Sequence, residues 1–493
     1  MRRLLSVLLA SGVLAGCTVG PNYVAPSLPV PPAFVGPQEM PGAAVDPARW
    51  WSSFGDPQLD ALVERALKGN PDIAIAASRV RQARVQEIVA RSAGLPNVNA
   101  TANASRVDFS KNAGFSSLAR AFGGGDSSGG TQGVALPGSG ITTFSTGFDA
   151  SWELDLFGGV RRSTEGARAR TDAAVWSKRD AAVTLAAEVA QAYFALRLDQ
   201  AQIATIEQEL VRQRRALQIA GNIAKVGLVP QIDVTRQRGS ITTTEARAEP
   251  IRADIAVRMH ALAILLGEPP ATLMTELAAP SPAALGVPSI PAGLPSDLLR
   301  RRPDIRAAER DLAAATADIG VAVADLYPRF TLTGVAQLIS TTLGSLFEGD
   351  SLQLTGTGAA QFPLLDWGRR KSTVKIREED REQAYQRYRA TVLQALRDVE
   401  DPLTQIAAER RRNAALQRAV VDAESSARST ESQYRTGFIA QDALLNAETQ
   451  VLSAREQLVA SDAQLRQLTA ALFKALGGGW EAGEEAEAAP VRR

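Results

Sequence analysis

The chain has 493 residues, with 54 Lys+Arg against 53 Asp+Glu and a formal net charge of +1. So close a balance excludes the basic surface that nucleic-acid binding requires. Aromatic residues make up only 5% of the chain, a composition that favours long, closely packed helices over an aromatic-rich globular core.

Residues 1–16 read as a secretory signal: Arg2-Arg3 precede an apolar run, Leu4 to Val13, too short to span a bilayer. The run ends Leu14-Ala15-Gly16-Cys17, which resembles the bacterial lipobox. That resemblance implies cleavage before Cys17 and a covalent lipid on it, S-diacylglycerol and an N-acyl chain. The following residue is Thr18 rather than an aspartate, which in lipoproteins implies transfer to the outer membrane. Cys17 is the only cysteine, so no intrachain disulfide is possible.

Residues 17–58 form the lipidated tether. Pro21, Pro26, Pro29, Pro31, Pro32, Pro37, Pro41 and Pro47 exclude regular helix and predict an extended segment wrapped on the body. Trp50-Trp51-Ser52-Ser53-Phe54 then leads to Asp56 and Pro57, a cap and first turn for the helical pattern Leu59, Leu62, Val63, Ala66, Leu67.

From residue 59 the chain is written twice, as a first copy over 59–267 and a second over 301–477. They are joined by an inter-repeat linker, 268–300, in the equatorial region and followed by a tail, 478–493. Asn70-Pro71-Asp72-Ile73 answers Arg302-Pro303-Asp304-Ile305 at an offset of 232, which also carries Pro96 onto Pro328. Gly158 and Gly368, Gly227 and Gly437, and Leu266-Gly267 and Leu476-Gly477 are offset by 210. The first copy therefore holds about 22 extra residues between Pro96 and Gly158, a window that contains the Gly/Ser-rich stretch from Gly123 to Gly130.

Each copy opens with an Ala-rich helix, Asp72 to Gly94 and Asp304 to Leu326, stopped before a proline. Beyond it the period becomes two. Phe144, Thr146, Phe148, Ala150 and Trp152 share one face, as do Phe330, Leu332, Gly334, Ala336 and Leu338. Strands are expected at about 97–108 and 142–155, and at about 329–341 and 351–362, long enough for a tilted strand to cross a bilayer. Alternation alone fits a soluble sandwich sheet equally well. In lipid, however, four strands cannot close a barrel, so closure demands several chains.

Helical hairpins follow at about 163–266 and about 370–476. Leu185, Val189, Ala192, Leu196, Ile203, Ile206, Leu210 and Leu217 keep a coiled-coil spacing broken only by Asp199 and Gln213. The return helix of the second copy places Leu444, Val451, Leu458, Leu465 and Leu472 at intervals of seven, and Val234, Ile241, Ala248, Ile255 and Leu262 answer them in the first. A continuous helix from Ser163 to Ile223 would run about 90 Å, too long for a compact core. The hairpins turn at Gly227-Leu228-Val229-Pro230 and Gly437-Phe438-Ile439-Ala440. Glycine serves the left-handed turn. Leu228, Val229, Phe438 and Ile439 are then either a docking surface or packing within each hairpin.

Taken together these residues resemble the outer-membrane factor family, the TolC-type channels, and in particular their lipidated NodT/OprM branch. The likeness runs from the lipobox and Gly20-Pro21-Asn22-Tyr23 through the Trp50 to Leu59 block and both Pro-Asp-Ile helices. It continues through Leu154-Asp155-Leu156-Phe157-Gly158, with its partner Leu365-Asp366-Trp367-Gly368, to both glycine tips. It implies an α+β membrane protein, a homotrimer with a 12-stranded transmembrane β-barrel continued by a periplasmic α-helical coiled-coil tunnel. Such a protein is the passive, gated outer-membrane exit duct of a tripartite pump, its partners a periplasmic adaptor and an inner-membrane RND-type transporter. The adaptor would dock on the tips, Gly227, Leu228, Val229, Gly437, Phe438 and Ile439. The resemblance also assigns a gate, with Asp233 and Tyr434 hydrogen-bonded as a latch. Departures from the family pattern are Ala443 and Asn446 where acidic residues are expected, with Asp442 one place earlier, and Ile439 at a position often basic.

No catalytic constellation accompanies this pattern, and no cofactor beyond the lipid on Cys17 is expected. His260 is the sole histidine and sits within a return helix, Glu378-Glu379 reads as solvated helix charge, and Arg300-Arg301-Arg302 reads as a lead into the second copy's helix. Two other functions use the same residues: the duct of a type I protein secretion system, and a coiled-coil scaffold lipoprotein with no pore.

Overall fold

The computed structural model describes residues 18–36, 46–108, 141–227, 230–279, 286–288, 297 and 300–480. The signal, Cys17, the stretch from Gly123 to Gly130, Leu228, Val229 and the tail beyond residue 480 lie outside them. The chain packs as two units, each drawing on both copies of the repeat. One combines the N-terminal stretch up to Val24 with Val85–Arg168 and Ala313–Arg381; the other combines Ala25–Arg84, Ala169–Leu312 and everything from Glu382. The boundaries 59–267 and 301–477 thus mark repeats, not separate bodies, because strands of one copy pair with strands of the other.

In the first unit that pairing makes one antiparallel sheet, ordered β1 (Asn97–Val107), β2 (Ile141–Leu154), β3 (Arg329–Ser340), β4 (Leu352–Gln361). Its register brings residues of like character together: Ala100 faces Phe148, Phe148 faces Ala336, and Ala336 faces Leu354. The next residue along each strand gives the opposite row, Asn99, Asp149, Val335 and Thr355. One sheet face is therefore mainly apolar, broken by Arg106, Thr142, Thr146 and Ser340, while the other is predominantly Thr, Ser, Asn and Gln. Asn99 donates to Asp149 at 3.1 Å and Gln337 to Gln353 at 3.1 Å on that polar face. On the apolar face Val98, Phe148, Trp152, Leu332, Leu352 and Leu354 are all exposed. β1 and β4 are exposed along their whole length, and each has a strand partner on one side only.

The N-terminal stretch is tied into this unit by its backbone. Val19 donates to the Phe157 carbonyl at 3.2 Å, and the Arg162 guanidinium reaches the Val19 and Gly20 carbonyls and the Asn22 side chain. A Cβ on Gly20 would stand 2.5 Å from the Gly320 Cα. Only two glycines allow that approach.

The helices repeat in length as well as in sequence. α1 (Pro57–Gly69) is capped by Asp56, whose carboxylate accepts from the Gln58 amide at 3.0 Å. α2 (Pro71–Ser92) and α5 (Pro303–Ala324) both have 22 residues; α3 (Gly159–Lys225) and α6 (Arg369–Arg435) both have 67; α4 (Gln231–Leu265) and α7 (Gln441–Ala475) both have 35. At 1.5 Å per residue, α3 and α6 are each about 100 Å long. One stretch of α3 is apolar enough on average to cross a bilayer, yet 56% of it is buried within the protein.

The coiled-coil seam is filled as its spacing predicts, with Ile206, Leu210, Ile241 and Ala248 buried together and Ile203, Leu217 and Ile251 packed against them. Of the two breaks in the seam, Asp199 binds Arg258, whereas at Gln213 it is the backbone carbonyl that accepts from Gln237, at 3.3 Å, and the buried side-chain oxygen has no hydrogen-bond partner among the described residues. The segment ahead of α1 packs as a 3-10 helix, Pro47–Phe54, whose Trp50, Trp51 and Phe54 are buried. Trp50 stacks on Phe473 of the second copy at 5.1 Å and Phe54 lies against Phe194 of the first at 4.8 Å. The proline-rich stretch before it is held where the Val35 and Gly36 amides donate to the Glu400 carboxylate at 2.7 and 2.8 Å.

Candidate functional site at the hairpin tips

Each long helix ends where a glycine takes a conformation that other residues rarely adopt. Gly227 has φ +78° and Gly437 φ +77°, and a Cβ at either would meet nothing within 4 Å. Backbone conformation rather than crowding therefore favours glycine. At the second tip the Gly437 amide donates to the Tyr434 carbonyl and the Phe438 amide to the Gln433 carbonyl, both at 3.0 Å, which closes the last turn and leaves the next side chain outside. Phe438 is 84% exposed and Val226, beside Gly227, 70% exposed, whereas Ile439 is half-buried. The tips present apolar side chains to solvent, so packing within the hairpin does not account for Phe438.

The latch expected from the sequence is not formed within the chain. Tyr434 is buried at 5% exposure, and its hydroxyl has no hydrogen-bond partner among the described residues. Burial, and then the charge of Asp233, push its pKa above the ordinary phenol value, which keeps the ring neutral at working pH. Asp233 instead lies 3.8 Å from Arg236, one turn along α4. Arg236 also pairs with Asp442 of α7 at 3.2 Å, so Asp442 does sit at the junction of the two hairpins, as a partner of arginine.

A second link lies beside it, fully out of water. The Gln441 amide donates to the Gln237 side-chain oxygen at 3.0 Å, and both residues are buried. Farther from the tips Arg247 binds Glu456 at 2.9 Å. The tips of the two copies are thus pinned by one exposed ion pair and one buried amide pair. Sequence reasoning missed Arg236, Gln237 and Gln441. Gln237 carried a usable signal, because it occupies a seam position between Val234 and Ile241 where an apolar residue is expected; Arg236 carried none.

The outer membrane efflux protein profile matches residues 62–268 and 294–478. The chain belongs to the outer membrane efflux protein family. Nodulation protein T of Rhizobium leguminosarum bv. trifolii is 30% identical over 472 residues, covering 95% of this chain and 96% of its own. The antibiotic efflux pump outer membrane protein ArpC of Pseudomonas putida is 30% identical over 490 residues, covering 97% and 96%. Among solved structures the outer-membrane channel OprN superposes with a TM-score of 0.83 at 30% identity, covering 94% of this chain and all of that one (100%). As a member of the outer membrane efflux protein family the chain is an exit duct at the outer membrane, and the family's work is transport rather than catalysis.

Proposed function

We propose that three copies of this outer membrane efflux protein close one twelve-stranded transmembrane barrel, and that their six hairpins continue it into the periplasm as an α-helical coiled-coil tunnel. The observation that carries the reading is the sheet, with one apolar exposed face, one mainly polar face and an open edge on each side. Lipid against the apolar face and a second copy at each edge leave no backbone group unsatisfied in the membrane. The mainly polar face then lines water.

The duct is passive and gated, the outer-membrane exit of a tripartite RND-type pump for small molecules. Exposed Phe438 and Val226 support docking of a periplasmic adaptor at the tips, with Gly227, Gly437, Ile439, Leu228 and Val229 forming the rest of that surface and the inner-membrane RND transporter lying beyond. Arg236 with Asp442, backed by Gln237 and Gln441, replaces Asp233 with Tyr434 as the intrachain tie of the gate. Lipid on Cys17 anchors the extended N-terminal stretch to the outer membrane. Relatives named for antibiotic efflux favour this reading over a type I secretion duct, and the exposed apolar sheet face counts against a scaffold without a pore.

Reconstitution tests it. The full-length protein should run as a heat-modifiable trimer and conduct ions in planar bilayers, and loss of its gene should raise accumulation of a fluorescent efflux dye in cells. A monomer without conductance, or a conducting trimer whose loss retains a secreted protein and leaves dye unchanged, would overturn the pump assignment.

A further inference from the structure

Between α3 and α7, farther along α7 than Asp442, a fully buried carboxylate acts on a half-buried one. The Glu209 side chain is 1% exposed, one of its oxygens is bound by Arg212 and the other has no partner. Glu448, on α7 of the other hairpin, also holds a buried oxygen without a hydrogen bond, and Glu209 and Arg212 act on it electrostatically. About two turns farther along α7 the helices touch, where Arg455 reaches Gln208 of α3, the residue before Glu209, at 3.5 Å.

The charges around Glu448 do not cancel its own. From α3 come Glu209 and Arg212, and these two neutralise one another. From α6 comes Glu431, already bound by Arg435 at 2.5 Å. Toward α4 the neighbouring seam is closed by Ile206, Leu210, Ile241 and Ala248, none of which titrates. An ionised Glu448 would therefore be an uncompensated charge beside a second carboxylate, which is costly away from water. Among the described residues no group of three or more His, Cys, Asp or Glu side chains could hold a metal ion there. A proton on Glu448 removes that charge, leaving a neutral carboxyl beside the Glu209 and Arg212 pair.

We propose that Glu448 and Glu209 form a proton-sensitive joint between the two hairpins of each chain, closed while Glu448 carries a proton and loosened when it ionises. Burial first, and then the charge of Glu209, push the Glu448 pKa up to about 7. The folded hairpins thus hold this proton more tightly than an unfolded chain does. Their packing is favoured on the acid side and weakens as pH rises from the ordinary carboxylate range through about 7. As regulation of the duct this rests on the channel reading; as a carboxyl titration it does not.

Two measurements on the full-length protein in detergent and in bilayers separate those. Infrared spectra between about pH 5 and about pH 9 should show a protonated-carboxyl band lost with a midpoint near 7 and missing from Glu448→Gln, while closed-state conductance rises over the same interval and stays at its acid-side value in Glu448→Gln. Glu209→Gln frees Arg212 for Glu448 and should move the infrared midpoint to lower pH, which keeps the idea testable if Glu448→Gln folds poorly. An infrared midpoint at the ordinary glutamate value, about 4.3, or conductance profiles that are the same in wild type and Glu448→Gln, would overturn the joint. A band that titrates near 7 in a protein that conducts at no pH would support the joint and sink the duct.

Discussion

Asn70 and Arg302 are different residues doing one job. Asn70 donates to the Leu265 carbonyl at 2.9 Å, closing the end of α4, and Arg302 donates to the Ala475 carbonyl at 3.1 Å, closing the end of α7. Each stands just before a Pro-Asp-Ile helix, so the repeat conserves the contact while changing its chemistry. Arg302, read from the sequence as a lead into α5, also binds Asp304 and Asp398 at 2.6 and 3.1 Å. Near-repeats also expose strain: the second copy is one residue shorter between Asp366 and Gly368, and Trp367 there takes φ +56°, a region that disfavours large side chains. At the tips, the exposed ion pair of Arg236 and Asp442 is worth about 0–1 kcal/mol, a tie weak enough to be broken by docking. Asp442→Ala should therefore raise closed-state conductance in bilayers, whereas Tyr434→Phe, which removes a hydroxyl that bonds to nothing within the chain, should leave it unchanged; a rise in Tyr434→Phe alone would restore the tyrosine latch.

Elements were legible in the sequence where one period dominates. The four strands declared themselves through alternation, and the seams through residues such as Ile206, Leu210 and Ile241, because a buried face fixes its own spacing. What joins one element to another was harder to read. Arg236 meets Asp442, and Glu209 acts on Glu448, across helices far apart in sequence, and no local pattern records which residues of two helices will face each other. The 3-10 helix Pro47–Phe54 shows the same limit: its tryptophans stood out, but not that Trp50 would stack on Phe473 while Phe54 packs on Phe194. That cluster bridges the two copies at the point where the return helix α7 ends. Trp50→Ala, which empties a fully buried site, should cost about 3–5 kcal/mol and lower the temperature at which the assembled protein dissociates on gels, while Arg49→Ala, removing an exposed ion pair, should have little effect.

For the whole molecule, function rests on surfaces that a single chain leaves uncovered: two sheet edges, one apolar sheet face, and the tips. Each asks for a different neighbour. On the proposed docking at the tips, Phe438→Asp should abolish dye efflux in cells while assembly and bilayer conductance persist; unchanged efflux would remove Phe438 from the docking surface. The N-terminal stretch bears on the order of events during synthesis. Val19 and Gly20 are held by Phe157, Arg162 and Gly320, and Val35 and Gly36 by Glu400. Chains emerge from the N-terminus first, so the segment made earliest has nowhere to settle until residues made hundreds of positions later have appeared. Seating of the stretch from Val19 to Gly36 therefore becomes one of the last acts of folding.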